Sequence, residues 1–77
     1  MSTEKVILSA QWQQVTTGTE TKLLQCLSGK FALCESAAEP ADEQPWHIFS
    51  EVTITPPSVV WLKAFTPGLP VIVTTMT

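Results

Sequence analysis

The chain has 77 residues, of which 44% are apolar and 14% charged, and a formal net charge of −3. That length holds one domain, 1–77, and no more; the charged fraction is well below the ~25% usual for soluble domains, so some uncharged surface is expected to face a subunit rather than bulk water. Its four lysines, Lys5, Lys22, Lys30 and Lys63, are scattered and there is no arginine, which argues against DNA or RNA as the main partner because a phosphate-tracking groove needs clustered cations.

In chain order, Lys5 to Ser9 reads as a first strand and Gln11 to Thr16 as a second, anchored by Trp12 and Val15 with Gln11, Gln13 and Gln14 solvated. Thr16-Thr17-Gly18-Thr19 is a predicted turn. Thr21 to Leu27 and Lys30 to Glu35 form the clearest hairpin signal, closed by Ser28-Gly29. Ser36 to Pro45 has no β-branched residue and two prolines, and with Glu35 it holds Glu39, Asp42 and Glu43; it reads as an exposed acidic loop with room for one helical turn. Trp46 to Phe49 is a short edge strand. Glu51 to Thr55 alternates with Val52 and Ile54 inward, and Pro56-Pro57 stops it because proline lacks the ladder donor. Val59 to Ala64 is apolar on both faces until its end, as a central strand requires. Thr66-Pro67-Gly68 turns the chain into a last strand, Pro70 to Thr75. No stretch carries a 3.6-residue apolar period, and turn signals recur every 8–12 residues or so, the pattern of a small sandwich or barrel. The fold expected is all-β, a small antiparallel sandwich or barrel of about seven short strands, with sandwich, jelly-roll fragment and open barrel all compatible.

A chain this short buries only about 60% of its unfolded surface, so its core is marginal alone, and association with copies of itself is one remedy. The opening Met1-Ser2-Thr3-Glu4-Lys5 lacks an apolar signal region and no run approaches the ~20 apolar residues of a membrane span. Synthesis in a reducing cytoplasm is therefore expected, with Cys26 and Cys34 as buried free thiols. The hairpin register supports this by placing the two on opposite sides of the ribbon.

Little points to chemistry. His47 is the lone histidine, and it has no sequence partner that would make it a general base or activate a thiol. Close metal-ligand pairs are absent. Gly18, Gly29 and Gly68 lie far apart, each suited to a turn rather than a phosphate loop. No catalytic residue, cofactor or metal is expected. The tryptophans are the informative residues: Trp12 and Trp61 sit in apolar strands and suit a core or subunit contact, whereas Trp46, beside Pro45 and the acidic loop, suits either a core or a ligand contact, with His47 as a polar neighbour.

The order of Trp12-Gln13-Gln14-Val15, Leu24-Gln25, Pro40, Val60-Trp61 and Val71-Ile72-Val73-Thr74 resembles a loose group of small bacteriophage virion proteins across nearly the whole chain. The charged residue, often arginine, expected after the Val-Trp pair is absent; Leu62-Lys63 follows instead. The resemblance implies a protein made in the bacterial cytoplasm and built into a phage head or tail, as a β-sandwich or barrel in homotrimers or similar rings. It implies no catalytic residues. Expected partners are copies of the chain, a trimer above all, and other virion proteins. The residues expected at the core or subunit interface are Val59, Val60, Trp61, Leu62, Val71, Ile72 and Val73. The alternative is a receptor- or carbohydrate-binding module on cell-surface glycan, using Trp46 and His47.

Overall fold

The computed structural model describes residues 2–76. Its strands are β1 (Ser2–Leu8), β2 (Gln13–Gln14), β3 (Lys22–Gln25), β4 (Phe31–Glu35), β5 (His47–Phe49), β6 (Glu51–Ile54), β7 (Val60–Ala64) and β8 (Leu69–Thr75). They form two four-stranded sheets, ordered β1-β8-β3-β6 and β2-β7-β4-β5. All pairings are antiparallel. The all-β antiparallel class expected from the sequence is thus observed, and of the sandwich and barrel left open there it is the sandwich, with eight strands among the described residues.

The strand order follows from one event: the chain doubles back on itself at the loop between β4 and β5. This makes a long antiparallel ribbon in which β1 lies beside β8, β2 beside β7, β3 beside β6 and β4 beside β5. The ribbon then wraps so that β8 also pairs with β3, and β7 with β4. This is the jelly roll, a two-sheet solution to the edge-strand problem. Every connection except β4–β5 crosses from one sheet to the other.

At each corner both halves of the ribbon turn together and stay hydrogen-bonded. The amides of Ala64 and Gly68 donate to the Ser9 and Leu8 carbonyls at 2.8 and 2.9 Å, the Val15 amide to Val60 O at 2.9 Å, and the Cys26 amide to Ser50 O at 2.8 Å. The second of these corners packs so closely that a Cβ built on Gly18, whose φ is +103°, would sit 3.2 Å from the Pro57 carbonyl oxygen. Such a φ favours glycine. The turn beside it is held by Glu20, whose carboxylate accepts from the Thr17 amide at 2.8 Å and the Thr17 hydroxyl at 2.9 Å. The amide bond is the main reason that the Glu20 carboxyl titrates below its ordinary range.

The hairpin expected at Ser28-Gly29 is not formed. β3 pairs with β6 and β8, and β4 with β5 and β7. Gly29, with φ +104°, instead serves the corner where the ribbon changes sheets. The reason lies in burial: Phe31, Ala32, Leu33 and Cys34 are all buried, so β4 needs a neighbour on each edge and cover on both faces, which a terminal hairpin could not provide. Other boundaries moved less. The first strand starts earlier, at Ser2, and the second shrinks to two residues.

Inward positions recur every second residue. Val60, Leu62 and Ala64 face Val71 and Val73 of the other sheet, with Leu8, Leu24, Phe31, Leu33 and Ile54 completing the core. Both cysteines are free and buried; Cys26 belongs to this core. The chain exposes 4572 Å², against about 4,600 Å² for a folded monomer of its 8.4 kDa mass, so its compactness is that of an ordinary small domain.

Candidate functional site

Three surface features could do chemistry or recognition. The first is the outer face of the β2-β7-β4-β5 sheet. In β4, Ala32 and Cys34 point away from the core, opposite Lys63 and Trp61 of β7, yet both are buried. The cover around them is aromatic. Trp12 and Trp46 meet edge to face, with centroids 6.1 Å apart. The Lys63 ammonium stands 4.7 Å from the centre of the first ring and 4.5 Å from that of the second. Trp61 donates its indole N–H to the Ser36 carbonyl at 2.9 Å. These links pin both ends of the acidic loop, Ser36 and Trp46, to the sheet. Trp12 Nε1 is buried with no acceptor among the described residues.

Two cation–π contacts at a half-exposed site contribute about 0.5–1 kcal/mol each. Lys63→Met keeps the apolar stem and removes the charge. It is expected to lower the melting temperature by roughly 4–8 °C per kcal/mol lost and to change tryptophan emission; an unchanged melting curve in differential scanning fluorimetry contradicts a stabilising role for the ammonium.

The second feature is a cleft of about 460 Å³ where the two sheets part beside β5 and β6. Its floor and walls are Leu33, Phe49, Val52, Ile54 and Val60, and its rim includes Glu35, Gln44, Pro45, His47 and Ser58. His47 belongs here. It pairs with inward-facing Leu33 and its ring lies 6.0 Å from that of Phe49. Trp46 turns to the opposite face of the sheet. The structure therefore separates the two residues that the sequence suggested as one ligand contact.

The third feature is the end of the sandwich where β1, β3, β5 and β7 finish. Leu27 and Phe65 project there from corner loops, 76% and 53% exposed, with Ile7 of β1 beside them at 55%. The corner segments 9–12, 26–30 and 65–68 carry a single charged side chain, Lys30, and Glu51 opens β6 at the same end. At the opposite end, segments 15–21 and 36–46 carry Glu20, Glu39, Asp42 and Glu43, β4 finishes in Glu35, and Lys22, which opens β3 there with its ammonium on the Val15 carbonyl at 2.8 Å, offsets one of these charges. The molecule is thus polarised, with one end apolar and nearly uncharged and the other acidic. Sequence reading missed this because the residues concerned are far apart in the chain. Turn punctuation was the available signal: Ser9, Ser28-Gly29, Ser50 and Pro67-Gly68 are the four turns that meet at the apolar end.

The predicted interface residues divide in the same way. Val60, Leu62, Val71 and Val73 point into the core. Trp61 and Ile72 are half-buried on the outer faces of opposite sheets, and Val59 is half-buried where β7 begins, its carbonyl accepting from the Ser36 amide at 3.0 Å. Among the described residues, no group of three His, Cys, Asp or Glu side chains could hold a metal ion, and no helix is long and apolar enough to cross a membrane. The chain matches no known family, no curated protein and no solved structure.

Proposed function

We propose that the protein is a non-enzymatic structural module that assembles with copies of itself, a trimer foremost, as a component of a phage head or tail. The polarised surface carries this reading. Leu27, Phe65 and Ile7 form an exposed apolar end whose charges, Lys30 and Glu51, are one of each sign, so that end is self-complementary. The acidic end repels its own copy. Copies would therefore meet through the apolar ends, acidic ends outward, and a closed arrangement about a symmetry axis satisfies both conditions. Two further points support it: the sequence resemblance to small phage virion proteins, and the use of jelly rolls in viral capsids, the latter by analogy of fold alone.

Light scattering after size exclusion tests the assembly. The wild-type chain is expected as a discrete oligomer, a trimer having three times the 8.4 kDa of the chain, and the Leu27→Asp/Phe65→Asp variant as a folded monomer. A wild-type monomer at tens of micromolar contradicts the proposal.

A receptor- or glycan-binding role is the second reading, favoured by Trp46, which is 38% exposed beside exposed Ile48. Jelly rolls serve lectins too. It is the weaker of the two: Lys63 already stands over the Trp46 ring, and His47 lies on the far side of the strand from it, facing the cleft.

A further inference from the structure

We propose that the cleft between β5 and β6 is a binding site for a small amphiphile with an apolar chain and a cationic, ammonium-type head. Its volume of about 460 Å³ falls within the roughly 300–1,000 Å³ of small-ligand sites, which combine apolar walls with a few convergent polar groups. The wedge opens directly on the core, since Leu33, Ile54 and Val60 line it and are themselves buried. Phe49 and Val52 flank them, half-buried. An apolar chain seated there would gain cover on both sides, one wall from each sheet.

The head group is chosen by the rim. Glu35 supplies the lining's only ionic side chain apart from the imidazole of His47. No hydrogen bond or ion pair among the described residues uses the Glu35 carboxylate. The loop that forms one lip, 36–46, reaches the lining through Gln44 and Pro45; its Glu39, Asp42 and Glu43 stand outside the lining and contribute through the longer-range field. The opposite lip, around Ser58, follows Pro56-Pro57 and carries no charge. No lysine lines the mouth. An acidic mouth over an apolar floor attracts a cation and repels a carboxylate, and the surrounding field adds to the local contact. The lips are ordered for this by their own bonds: the Gln44 amide donates to Ala41 O at 3.0 Å, and the Ser58 carbonyl accepts from the Thr16 hydroxyl at 2.8 Å. Its charged mouth, at Glu35 and Gln44, lies toward the acidic end, away from Leu27 and Phe65, while Phe49 and Val52 extend the floor along the strands.

The test is a titration of the full chain with octylammonium, octanol and octanoate, followed by two-dimensional amide NMR. Octylammonium is expected to bind most tightly and octanoate least, with shifts concentrated at Leu33, Glu35, Val52 and Ile54. Glu35→Gln is exposed and should fold normally; it is expected to weaken octylammonium about fivefold, the size of one rim charge contact, and to leave octanol unchanged. Val52→Trp fills the wedge and is expected to abolish all three. Equal binding of octanoate and octylammonium, an unchanged affinity in Glu35→Gln, shifts confined to Leu27 and Phe65, or no shift with any probe each overturns the proposal.

Discussion

Phe31→Ala is expected to lower the unfolding free energy by about 3–5 kcal/mol, the usual cost of deleting a fully buried phenylalanine ring. Phe31 has no exposed surface and is the largest fully buried side chain. It opens β4, directly after the corner at Gly29, and is paired on one side with Ala64 and on the other with Phe49. Three strands of one sheet therefore meet at Phe31, whose ring belongs to the core shared by both sheets. A domain of this length has about 4–12 kcal/mol of stability in all, so the variant would lose from roughly a quarter of it to the whole. Urea denaturation followed by tryptophan emission measures it. Phe31→Leu, which keeps most of the volume, should recover more than half of the loss. A cost below about 1.5 kcal/mol for the alanine variant would mean that the corner collapses to fill the void.

The same corner shows what could be read from the sequence and what could not. Strand identity was legible because it is written in adjacent residues. Val52 and Ile54 alternate with Thr53 and Glu51, so the inward set is the apolar set, and Val60-Trp61-Leu62 is apolar on both faces, as a strand covered on both sides is. Pairing was not legible in this way. Only β4 and β5 are neighbours both in sequence and in a sheet, so partner choice rests on contacts between residues far apart in the chain. Ser28-Gly29 carries a local hairpin signal, and glycine does supply the positive φ expected of it; a corner and a hairpin make the same local demand. What decides between them is the burial of Ala32 and Cys34 on the face away from the core, which becomes visible only when Trp12, Trp46 and Lys63 are brought over that face from remote segments. The doubled ribbon leaves one faint trace in the sequence. Turn residues fall in matched positions on either side of the 36–46 loop, Gly18 against Pro57 and Ser28-Gly29 against Ser50. The site residues divided for the same reason. Trp46 and His47 are adjacent in sequence, and adjacency in an extended chain sends side chains to opposite faces.

Thr16→Val is expected to cost about 2–4 kcal/mol although it changes the shape of the side chain hardly at all, because it leaves the buried Val60 amide without a partner, at ~1–3 kcal/mol, and the part-buried Ser58 carbonyl as well, at less. Thr16 is fully buried, the one polar side chain so placed among the described residues. Its hydroxyl donates to Ser58 O at 2.8 Å and accepts from the Val60 amide at 2.9 Å. It sits at the corner where the ribbon turns between β2 and β3 on one side and β6 and β7 on the other. There the backbone ladder cannot continue, and the Thr16 hydroxyl takes the place of a missing ladder partner for both groups at once. Thr16→Ser keeps the hydroxyl and loses only a buried methyl, at about 1 kcal/mol. The expected order of stability is therefore threonine, serine, valine, and hydrogen exchange of the Val60 amide should accelerate in the valine variant and not in the serine one. The reverse order of serine and valine would show that the methyl group, packed in the corner, carries the stabilisation and that the two backbone groups find other partners. The distinction bears on the cleft as well, because Ser58 forms its uncharged lip: if the hydroxyl holds that lip, Thr16→Val should loosen the mouth while leaving the apolar end of the sandwich as it was.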